Sequence, residues 1–400
     1  MTAPPAGSDL HAPPPSRPGP VRPLALPDRP RILVVVLRRL GDVLLTTPLI
    51  RSLRRAWPQA RIDALVFADT AGILDGNADI DRIVTMPARP TPWQGLGLAA
   101  RLFKRYHLAV STQSGDRPTF AALLAGRRHI GPVDPGSRGA LRRMLLSRSI
   151  SPRAGLHRVD DNLRLADALG IAAVADMVVP QGRLPDDAVP AGPYAVIHAA
   201  PMFRYKQWTQ AGWRSLAAGL AARGLAVVAT GGPHPDERRY LDDLWRDHPT
   251  VARLDGRLNW GEIAALLLGA KVYVGPDTSV THLAAACGGP TVALFGPTAP
   301  RLWGPWPAAG LAQPWAAAGT IQQRGNVWLV QNPLPCLPCQ EEGCERRLDS
   351  HSQCLDELAP AQVLAAIDQA LGMVPGLALG GGATGQRPVW MAPEARPGRA

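Results

Sequence analysis

The stretch "VGPDTSVTHLAAACGGPTVALFGPT" (274–298) contains the end of an apolar strand, an Ala-rich helix and a second apolar strand. A helix that follows a strand presents unpaired backbone N–H groups at its first turn, and such a terminus attracts anions. Asp277 is the predicted N-cap, and the i,i+4 spacing places Thr278 and His282 on one helix face. The spacing alone leaves two interpretations open: a ligand site, or a capped core helix whose histidine is satisfied internally.

The same rhythm of strand and helix extends in both directions from this stretch. Upstream within the same half, the predicted strands are "YAVIHAA" (194–200), "AVVATGG" (226–232) and "KVYVG" (271–275), with helices at 210–224 and 260–270. Near the N-terminus, strands "RILVVVL" (31–37), "RIDALVF" (61–67) and "DRIVTMP" (81–87) accompany a helix predicted over 42–57. Alternating strands and helices predict α/β architecture with parallel sheets.

The polar, Pro- and Gly-rich residues around 180–193 form a predicted linker between two such halves. We therefore predict two Rossmann-like domains, 31–183 and 184–372, with parallel sheets that face each other across a cleft. The Pro-rich residues 1–30 and the Gly-, Pro- and Ala-rich residues 373–400 are predicted to be disordered tails.

Composition narrows the classes of partner. The 400 residues carry a formal net charge of +11, which favours an anionic partner such as a nucleotide, an acidic glycolipid, membrane headgroups or nucleic acid. Because no zinc finger or RNA-binding aromatic signature accompanies the charge, nucleic acid is not predicted as a partner. No uninterrupted apolar run reaches membrane-spanning length and no signal peptide is recognisable, so a cytoplasmic protein is expected.

Two further stretches place polar residues beyond the ends of predicted strands. In "RRLGDVLLTTP" (38–48), Gly41 permits a tight backbone, and Asp42 is either a helix N-cap or a carboxylate that faces the cleft. In "IHAAPMFRYKQWTQAGW" (197–213), Arg204 and Lys206 are either solvated loop residues or cations at the cleft. Position beyond the carboxyl end of a strand favours the second interpretation for each.

Together, "GDVLLTTP", "HAA…YKQW…GW" and "GPDTSVTHLAAACGGPTVALFGPT" resemble glycosyltransferase family 9, the bacterial heptosyltransferases that build the inner core of lipopolysaccharide. The resemblance extends from about Arg31 to Leu371. It implies the GT-B fold, in which the N-terminal domain binds the acceptor and the C-terminal domain binds ADP-heptose. It also implies inverting transfer of heptose to a Kdo or heptose hydroxyl on the lipid A–core acceptor, without a required cofactor.

The resemblance further implies roles for individual residues. Asp42 matches the general base, and Lys206 matches the lysine that neutralises the departing diphosphate. The Asp277–Thr278 turn with His282 matches the nucleotide-sugar phosphate site. Ser279 and Arg204 are further candidate donor contacts, and Glu237, in the loop 230–239, either reaches a ribose or is solvated. Gly41, Arg127 and Arg128 are candidate acceptor contacts.

Departures from the family pattern concern substrate identity. Ser279 stands where family members often carry glycine, and Ala199, Ala200 and Pro201 replace hydroxyl residues before the lysine. Two alternatives therefore remain: a family 9 transferase with another nucleotide sugar or acceptor glycan, and a non-catalytic glycan- or nucleotide-binding relative. An NAD-dependent Rossmann enzyme is disfavoured because no G-x-G-x-x-G follows residues 31–37.

Two other clusters are open to a functional and to an ordinary interpretation. The Arg-rich segment 127–158 either recognises anionic sugars and the anionic inner membrane, with peripheral, salt-sensitive attachment, or is solvated. The thiols of "CLPCQEEGCERRLDSHSQC", namely Cys336, Cys339, Cys344 and Cys354, are either zinc ligands or free or redox-active thiols.

Overall fold

The computed structural model describes residues 22–185 and 188–373. Its strands are β1 Arg31–Val36, β2 Arg61–Phe67, β3 Arg82–Met86, β4 Tyr106–Ser111, β5 Gly126–Pro132, β6 Arg148–Ile150, β7 Tyr194–His198, β8 Ala226–Thr230, β9 Ala252–Arg253, β10 Val272–Pro276, β11 Thr291–Leu294, β12 Ile321–Arg324 and β13 Val327–Val330. Its helices are α1 Leu40–Leu44, α2 Thr47–Ala56, α3 Pro92–Leu102, α4 Asp116–Ala125, α5 Ser137–Leu145, α6 Arg158–Leu169, α7 Gln210–Ala222, α8 Pro235–Trp245, α9 Trp260–Gly269, α10 Ser279–Cys287, α11 Pro300–Trp303, α12 Gln353–Asp356 and α13 Pro360–Ala370. Short 3₁₀ turns span Ala68–Leu74 and Arg204–Lys206.

The first sheet has the strand order β3-β2-β1-β4-β5-β6, and each neighbouring pair is parallel. After its first residue, β1 is buried at every position, because helices cover both faces of the sheet. The chain leaves β1 in one direction to β2 and returns on the other side of β1 to β4. The boundary between β1 and β4 is therefore a topological switch point, where α/β proteins bind ligands.

The second sheet repeats this arrangement. Its order is β12-β13-β11-β10-β7-β8-β9, with an antiparallel β12 at one edge and parallel pairs elsewhere. Strand β7 has β8 on one side and β10 on the other, so the switch point lies between β7 and β10. The segments that leave these two strands carry Lys206 and Asp277.

An apolar core joins the two halves of the molecule. Val43 and Leu44 of α1 belong to the same buried cluster as Val280 and Leu283 of α10. The chain between α6 and β7 packs along the same boundary. There the Val174 amide donates to Ser52 Oγ of the first half (2.9 Å), and the Met177 amide donates to the Ala308 carbonyl of the second (3.1 Å).

The predicted α/β class with two facing sheets is confirmed, but the helix expected over 42–57 is divided into α1 and α2. Pro48 has no N–H with which to continue the helical hydrogen-bond pattern. Hydroxyl groups contact the carbonyls at the break: Thr46 Oγ1 donates to Asp42 O (2.9 Å), and Thr47 Oγ1 donates to Leu44 O (2.8 Å).

The N-cap predicted at Asp277 is wrong, and so is the N-cap interpretation of Asp42. Arg39 occupies the N-cap position of α1, and Asp42 lies inside the first turn without making a capping hydrogen bond. Thr278 is the N-cap of α10, and its hydroxyl accepts from the Thr281 amide, whereas Asp277 precedes the helix. Both carboxylates are therefore available for contacts beyond their own helices.

The predicted disordered tail 1–30 is too long at its inner end. Leu24 is buried, and its amide donates to the Leu169 carbonyl (3.0 Å). The rest of that prediction, over residues 1–21, lies outside the described residues, as does nearly all of the tail predicted for 373–400. Within the described ranges, no helix has both the length and the apolar character needed to cross a bilayer.

Candidate active site

Asp42 lies at the carboxyl edge of the first sheet, and one of its carboxylate oxygens is buried without a hydrogen bond in the described part of the chain. Its side chain is 11% exposed, and Oδ1 has no hydrogen-bond partner among the described residues. Two guanidinium groups stand near this oxygen, at 3.6 Å for Arg38 Nη1 and 3.8 Å for Arg158 Nε. A nearly buried carboxylate without a donor is costly unless a ligand group completes it. The geometry suits an oxygen that receives a hydrogen bond from a substrate hydroxyl.

The segment that carries Asp42 faces the second half of the molecule at close range. A Cβ placed on Gly41 would lie 3.4 Å from Ser279 Oγ and 3.7 Å from His282 Cδ2. Beside it, the Arg39 guanidinium stands 5.0 Å from the centroid of the Phe203 ring, a cation–π contact. The start of α1 therefore opposes both the 203–206 turn and the N-terminus of α10.

In the second half, Asp277 binds two cationic or potentially cationic side chains. Its Oδ2 accepts a hydrogen bond of 2.5 Å from Lys206 Nζ, and its Oδ1 lies 3.8 Å from His282 Nε2. Burial acts to raise the pKa of Asp277, but the charge of Lys206, assisted by His282, outweighs burial and holds this pKa well below its usual range. His282 Nδ1 is buried without a partner in the described structure.

The turn into α10 is fixed by hydroxyl groups. The Thr281 hydroxyl donates to the Pro276 carbonyl, and the Tyr273 hydroxyl lies 2.8 Å from Thr281 Oγ1. Thr278 caps the helix through the Thr281 amide. The backbone N–H groups of the first turn are thus held in place beside Lys206, which makes this terminus suited to a phosphate group.

A cavity of about 270 Å³ adjoins Asp42 on the side of the first sheet. It lies beyond the carboxyl ends of β1, β4 and β5, and it is lined by Leu37, Arg38, Gln113, Ser114, Gly115, Pro118, Pro132, Pro152, Arg158 and Asp161. Burial lowers the pKa of the Arg158 guanidinium, although Asp42 and Asp161 act against that effect. The cavity combines two guanidinium groups with mainly small or apolar surroundings, which suits a ligand with a carboxylate or phosphate.

The arginines predicted for the acceptor lie elsewhere. Arg127 and Arg128 are exposed near the amino end of β5, whereas the cavity touches that strand at its carboxyl end, Pro132. The structure therefore does not bring them together with Asp42, and the arginines that lie beside Asp42 are Arg38 and Arg158. The Arg-rich segment does not form one surface, because its members are distributed over both ends of the sheet.

Two predicted donor residues lie at the carboxyl edge of the second sheet. Arg204 is exposed and hydrogen-bonds Gln207, while Glu237 accepts from the Gly232 amide at the end of β8. Burial raises the pKa of Glu237, and the nearby Asp255 carboxylate adds to this. Tyr240, one turn after Glu237 in α8, has a buried hydroxyl without a partner in the described structure, and burial raises its pKa to about 12.

The cysteine cluster does not assemble the metal site that its spacing suggested. Cys336, Cys339 and Cys344 are exposed, Cys354 is buried, and all are free thiols. Among the described residues, no group of three or more His, Cys, Asp or Glu is placed to hold a metal ion. Burial raises the pKa of Cys354 to about 12, and the three neighbouring thiols contribute. The segment does touch the site, because Ser352 Oγ donates to the Tyr205 carbonyl (2.7 Å) beside Lys206.

Comparison with known proteins identifies the family. The profile described as glycosyltransferase family 9 (heptosyltransferase) matches residues 104–345, a range that includes Lys206 and Asp277 but not Asp42. The chain is 29% identical over 349 residues to lipopolysaccharide heptosyltransferase 1 of Pseudomonas aeruginosa, covering 84% of this chain and 93% of that relative. It is also 29% identical over 284 residues to lipopolysaccharide heptosyltransferase 3 of Escherichia coli, covering 66% and 83% respectively.

Solved structures share the fold. A family 9 glycosyl transferase from Veillonella parvula superimposes with a TM-score of 0.70 at 17% identity, covering 88% of this chain and all of that one. E. coli heptosyltransferase WaaC with ADP gives 0.66 at 23% identity, covering 85% and 99%. The expected GT-B fold is confirmed, and with it the resemblance seen in the motifs. The chain belongs to glycosyltransferase family 9, the heptosyltransferase family, and is a glycosyltransferase.

Proposed function

We propose that the protein transfers heptose from ADP-heptose to a hydroxyl of the lipopolysaccharide inner core, on a Kdo or heptose unit attached to lipid A. The observation that carries this proposal is the position of Asp42, whose Oδ1 makes no hydrogen bond within the described structure, across the cleft from the Lys206–Asp277 pair. The Pseudomonas relative named a lipopolysaccharide heptosyltransferase, similar over most of both chains, supports the choice of donor and acceptor.

The first step assigns the base. An acceptor hydroxyl bound in the cavity beside Arg38 donates a hydrogen bond to Asp42 Oδ1, the oxygen that makes no hydrogen bond within the described structure. As the hydroxyl oxygen attacks the anomeric carbon, its proton passes to Asp42. The bond between the anomeric carbon and the β-phosphate oxygen breaks, and ADP departs with the electron pair. Because base and diphosphate bind on opposite sides of the cleft, attack from the face opposite the leaving group inverts the anomeric centre.

The second step concerns the departing ADP. Its diphosphate gains negative charge as the glycosidic bond breaks, and stabilisation of that charge lowers the barrier. Lys206 supplies a full positive charge, and Asp277 fixes the position of its ammonium group. The first turn of α10, capped by Thr278, supplies backbone N–H groups in the same place. We assign the donor phosphates to these groups, with Ser279 and His282 beside them.

The remaining donor and acceptor assignments follow from location. Arg204, Glu237 and Tyr240 lie towards the end of β8 and are proposed to surround the nucleoside. Gly41 lets the start of α1 approach α10 closely, because a side chain at this position would already contact Ser279 and His282. A lipid-anchored acceptor places the reaction at the cytoplasmic face of the inner membrane.

The test is a calorimetric titration of the full chain with ADP, UDP, GDP, NAD and ADP-heptose. We expect selective binding of ADP and ADP-heptose, which weakens in Lys206→Ala. The matched control is Lys271→Ala, because Lys271 is an exposed lysine of the same half that precedes β10 and so lies at the opposite edge of the sheet. Preference for UDP or GDP would overturn the donor assignment, and equal loss in both variants would remove Lys206 from the site.

A further inference from the structure

One face of the first half exposes large apolar side chains. Trp93 and Leu96 of α3, Phe120 of α4, and Met144 and Leu145 of α5 are all exposed, with Trp93 at 81% and Met144 at 84%. We call these five residues the apolar face. Monomeric soluble proteins rarely leave several large apolar groups together in water, and such patches mark surfaces that bind a partner or a membrane.

Topology and hydrogen bonds place the three helices side by side. The connections β3–α3–β4, β4–α4–β5 and β5–α5–β6 all run in the same direction along the sheet, so right-handed crossovers put these helices on one face. Arg117 Nη1 of α4 donates to the Ala88 carbonyl before α3 (2.8 Å). Arg142 Nη1 of α5 donates to the Ser114 carbonyl before α4 (2.8 Å). These hydrogen bonds link α5 to the segment before α4, and α4 to the segment before α3, so the five residues of the apolar face lie on the same side of the sheet.

The part of the chain that carries the apolar face is rich in basic residues, although Arg127 and Arg128 among them lie near the amino end of β5. Residues 87–150, which extend from the end of β3 to the end of β6, contain eleven Lys and Arg, two Asp and no Glu. This segment thus accounts for +9 of the formal net charge of +11. Exposed Arg89, Arg117 and Arg143 lie within four residues of Trp93, Phe120 and Met144 in the sequence. Exposed apolar groups combined with basic residues are the pattern that binds an anionic bilayer surface, where each basic residue strengthens binding roughly fivefold.

The apolar face adjoins the cavity proposed for the acceptor. Gly115, just before α4, and Pro118 in its first turn line that cavity, and Phe120 follows on the same helix. Ser114, which accepts from Arg142 of α5, also lines it. A sugar chain that leaves a membrane against this face would need to extend only past the start of α4 to reach the vicinity of Asp42.

We propose that the apolar face docks on an anionic phospholipid bilayer, so that the cavity beside Asp42 opens next to the lipid surface. The inference rests on the proposed function, because a lipid-anchored acceptor is the reason for the protein to contact a membrane. A second copy of the chain fits the face poorly, because two segments of this charge would repel each other.

The experiment is flotation of the full chain with phosphatidylcholine vesicles that contain or lack phosphatidylglycerol. The test variant is Trp93→Ser/Phe120→Ser/Met144→Ser, and its matched control is Leu268→Ser/Leu348→Ser, because Leu268 and Leu348 are exposed on the second half. The charge variant is Arg89→Gln/Arg117→Gln/Arg143→Gln, matched by Arg238→Gln/Arg239→Gln/Arg246→Gln at exposed positions in and directly after α8. Thermal unfolding of each variant checks that it remains folded.

We expect the wild-type chain to float with anionic vesicles and to be released by salt. The triple serine variant should bind at least about tenfold more weakly, since each buried aromatic or Met side chain contributes more than that alone. The charge variant should weaken binding only to anionic vesicles, and both controls should bind as the wild type does. Equal binding by the triple serine variant, or equal loss in its control, would overturn the proposal. So would a lipid-free dimer that the triple serine variant converts to monomer.

Failure of the proposed function would look different. Vesicle binding is scored without substrate, and heptose transfer is scored separately on a water-soluble core oligosaccharide without lipid. Normal vesicle binding without heptose transfer would contradict the proposed function but not the proposal that the apolar face docks on a membrane. Transfer to the soluble oligosaccharide without vesicle binding by the wild type would contradict the surface alone.

Discussion

The ammonium group of Lys206 lies 2.5 Å from the Asp277 carboxylate, although 71 residues separate them in the chain. The contact exists because the two residues follow β7 and β10, which are parallel neighbours at the switch point of the second sheet. Asp277 is 8% exposed and therefore depends on this partner. We therefore expect Lys206 to contribute both to the proposed donor binding and to the stability of the second half.

Substitution of Lys206 by alanine should impair both function and stability. ADP affinity and turnover should fall because the diphosphate loses its cation, and the free energy of unfolding should fall by about 1–3 kcal/mol because a buried carboxylate loses its partner. The double variant Lys206→Ala/Asp277→Ala should lose less stability than the sum of the single changes. Chemical denaturation of the four proteins measures this coupling, and strictly additive losses would contradict it.

Acidification should destabilise the boundary between the two halves through His157. This ring is buried; its Nδ1 accepts from the Val159 amide, and its Nε2 lies 2.8 Å from the Gly304 carbonyl of the other half. Burial lowers the pKa of His157 from 6.5 to about 3. The folded state therefore binds fewer protons than the unfolded state between these values, and stability falls as the pH drops below about 6.5.

The His157 contribution lost between about pH 6.5 and about pH 5 should be about 2 kcal/mol. Denaturant unfolding at both values measures the loss in wild type and in His157→Gln, which should lose less on acidification. His234→Gln serves as the control because that ring is exposed in α8's N-cap. An unchanged acid sensitivity in His157→Gln would show that other groups dominate.

Bulk at Gly41 should block the cleft. Alanine should be tolerated, since its Cβ meets Ser279 and His282 at ordinary contact distances of 3.4 and 3.7 Å. Gly41→Val should force α1 and α10 apart and displace the neighbouring Asp42, so turnover should fall at least about tenfold with little change in ADP affinity. A valine variant that turns over as fast as the alanine variant would show that this close approach of α1 to α10 is not needed for transfer.

Arg38 and Arg127 should differ in their effect on the acceptor. Arg38→Gln should raise the acceptor KM by about tenfold, because a charge-assisted hydrogen bond to an anionic sugar is lost, while the KM for ADP-heptose stays constant. Arg127→Gln should leave both constants unchanged, because that residue lies near the amino end of β5. Steady-state kinetics with each substrate varied in turn decide between them, and a reversed pattern would restore the original assignment of the acceptor site.

The sequence predicted most of the fold because apolar, β-branched runs coincide with central strands. Strands β1, β2, β7, β8, β10 and β11 lie within about two residues of their predicted positions. Strand β5, "GRRHIGP", lacks such a run, so the local sequence does not distinguish it from the rest of the Arg-rich segment. Its identity depends on pairing with β4, which is a tertiary contact that local composition does not express.

The cluster of candidate site residues could be anticipated because the carboxyl ends of parallel strands meet at one edge. The ion pairs that these residues form could not be predicted from the sequence. The sequence predicted Asp277 as a helix cap and left Asp42 as a cap or a cleft-facing carboxylate, but it did not indicate Lys206 and Arg158 as their distant partners. Arg158 begins α6, far from Asp42 along the chain, and no local signal separates it from the other arginines of its segment.

The most direct test of the account is a transfer assay with ADP-heptose and a lipid A that carries Kdo, analysed by mass spectrometry of the product. The wild-type chain should add heptose and release an equal amount of ADP. Asp42→Asn should lose about 10²–10⁴-fold in turnover, because no base receives the hydroxyl proton, and should bind ADP as the wild type does. Asp247→Asn, at an exposed position after α8, should behave as wild type. Undiminished transfer by Asp42→Asn would contradict the role of Asp42, and absence of heptose from the wild-type product would contradict the proposed reaction.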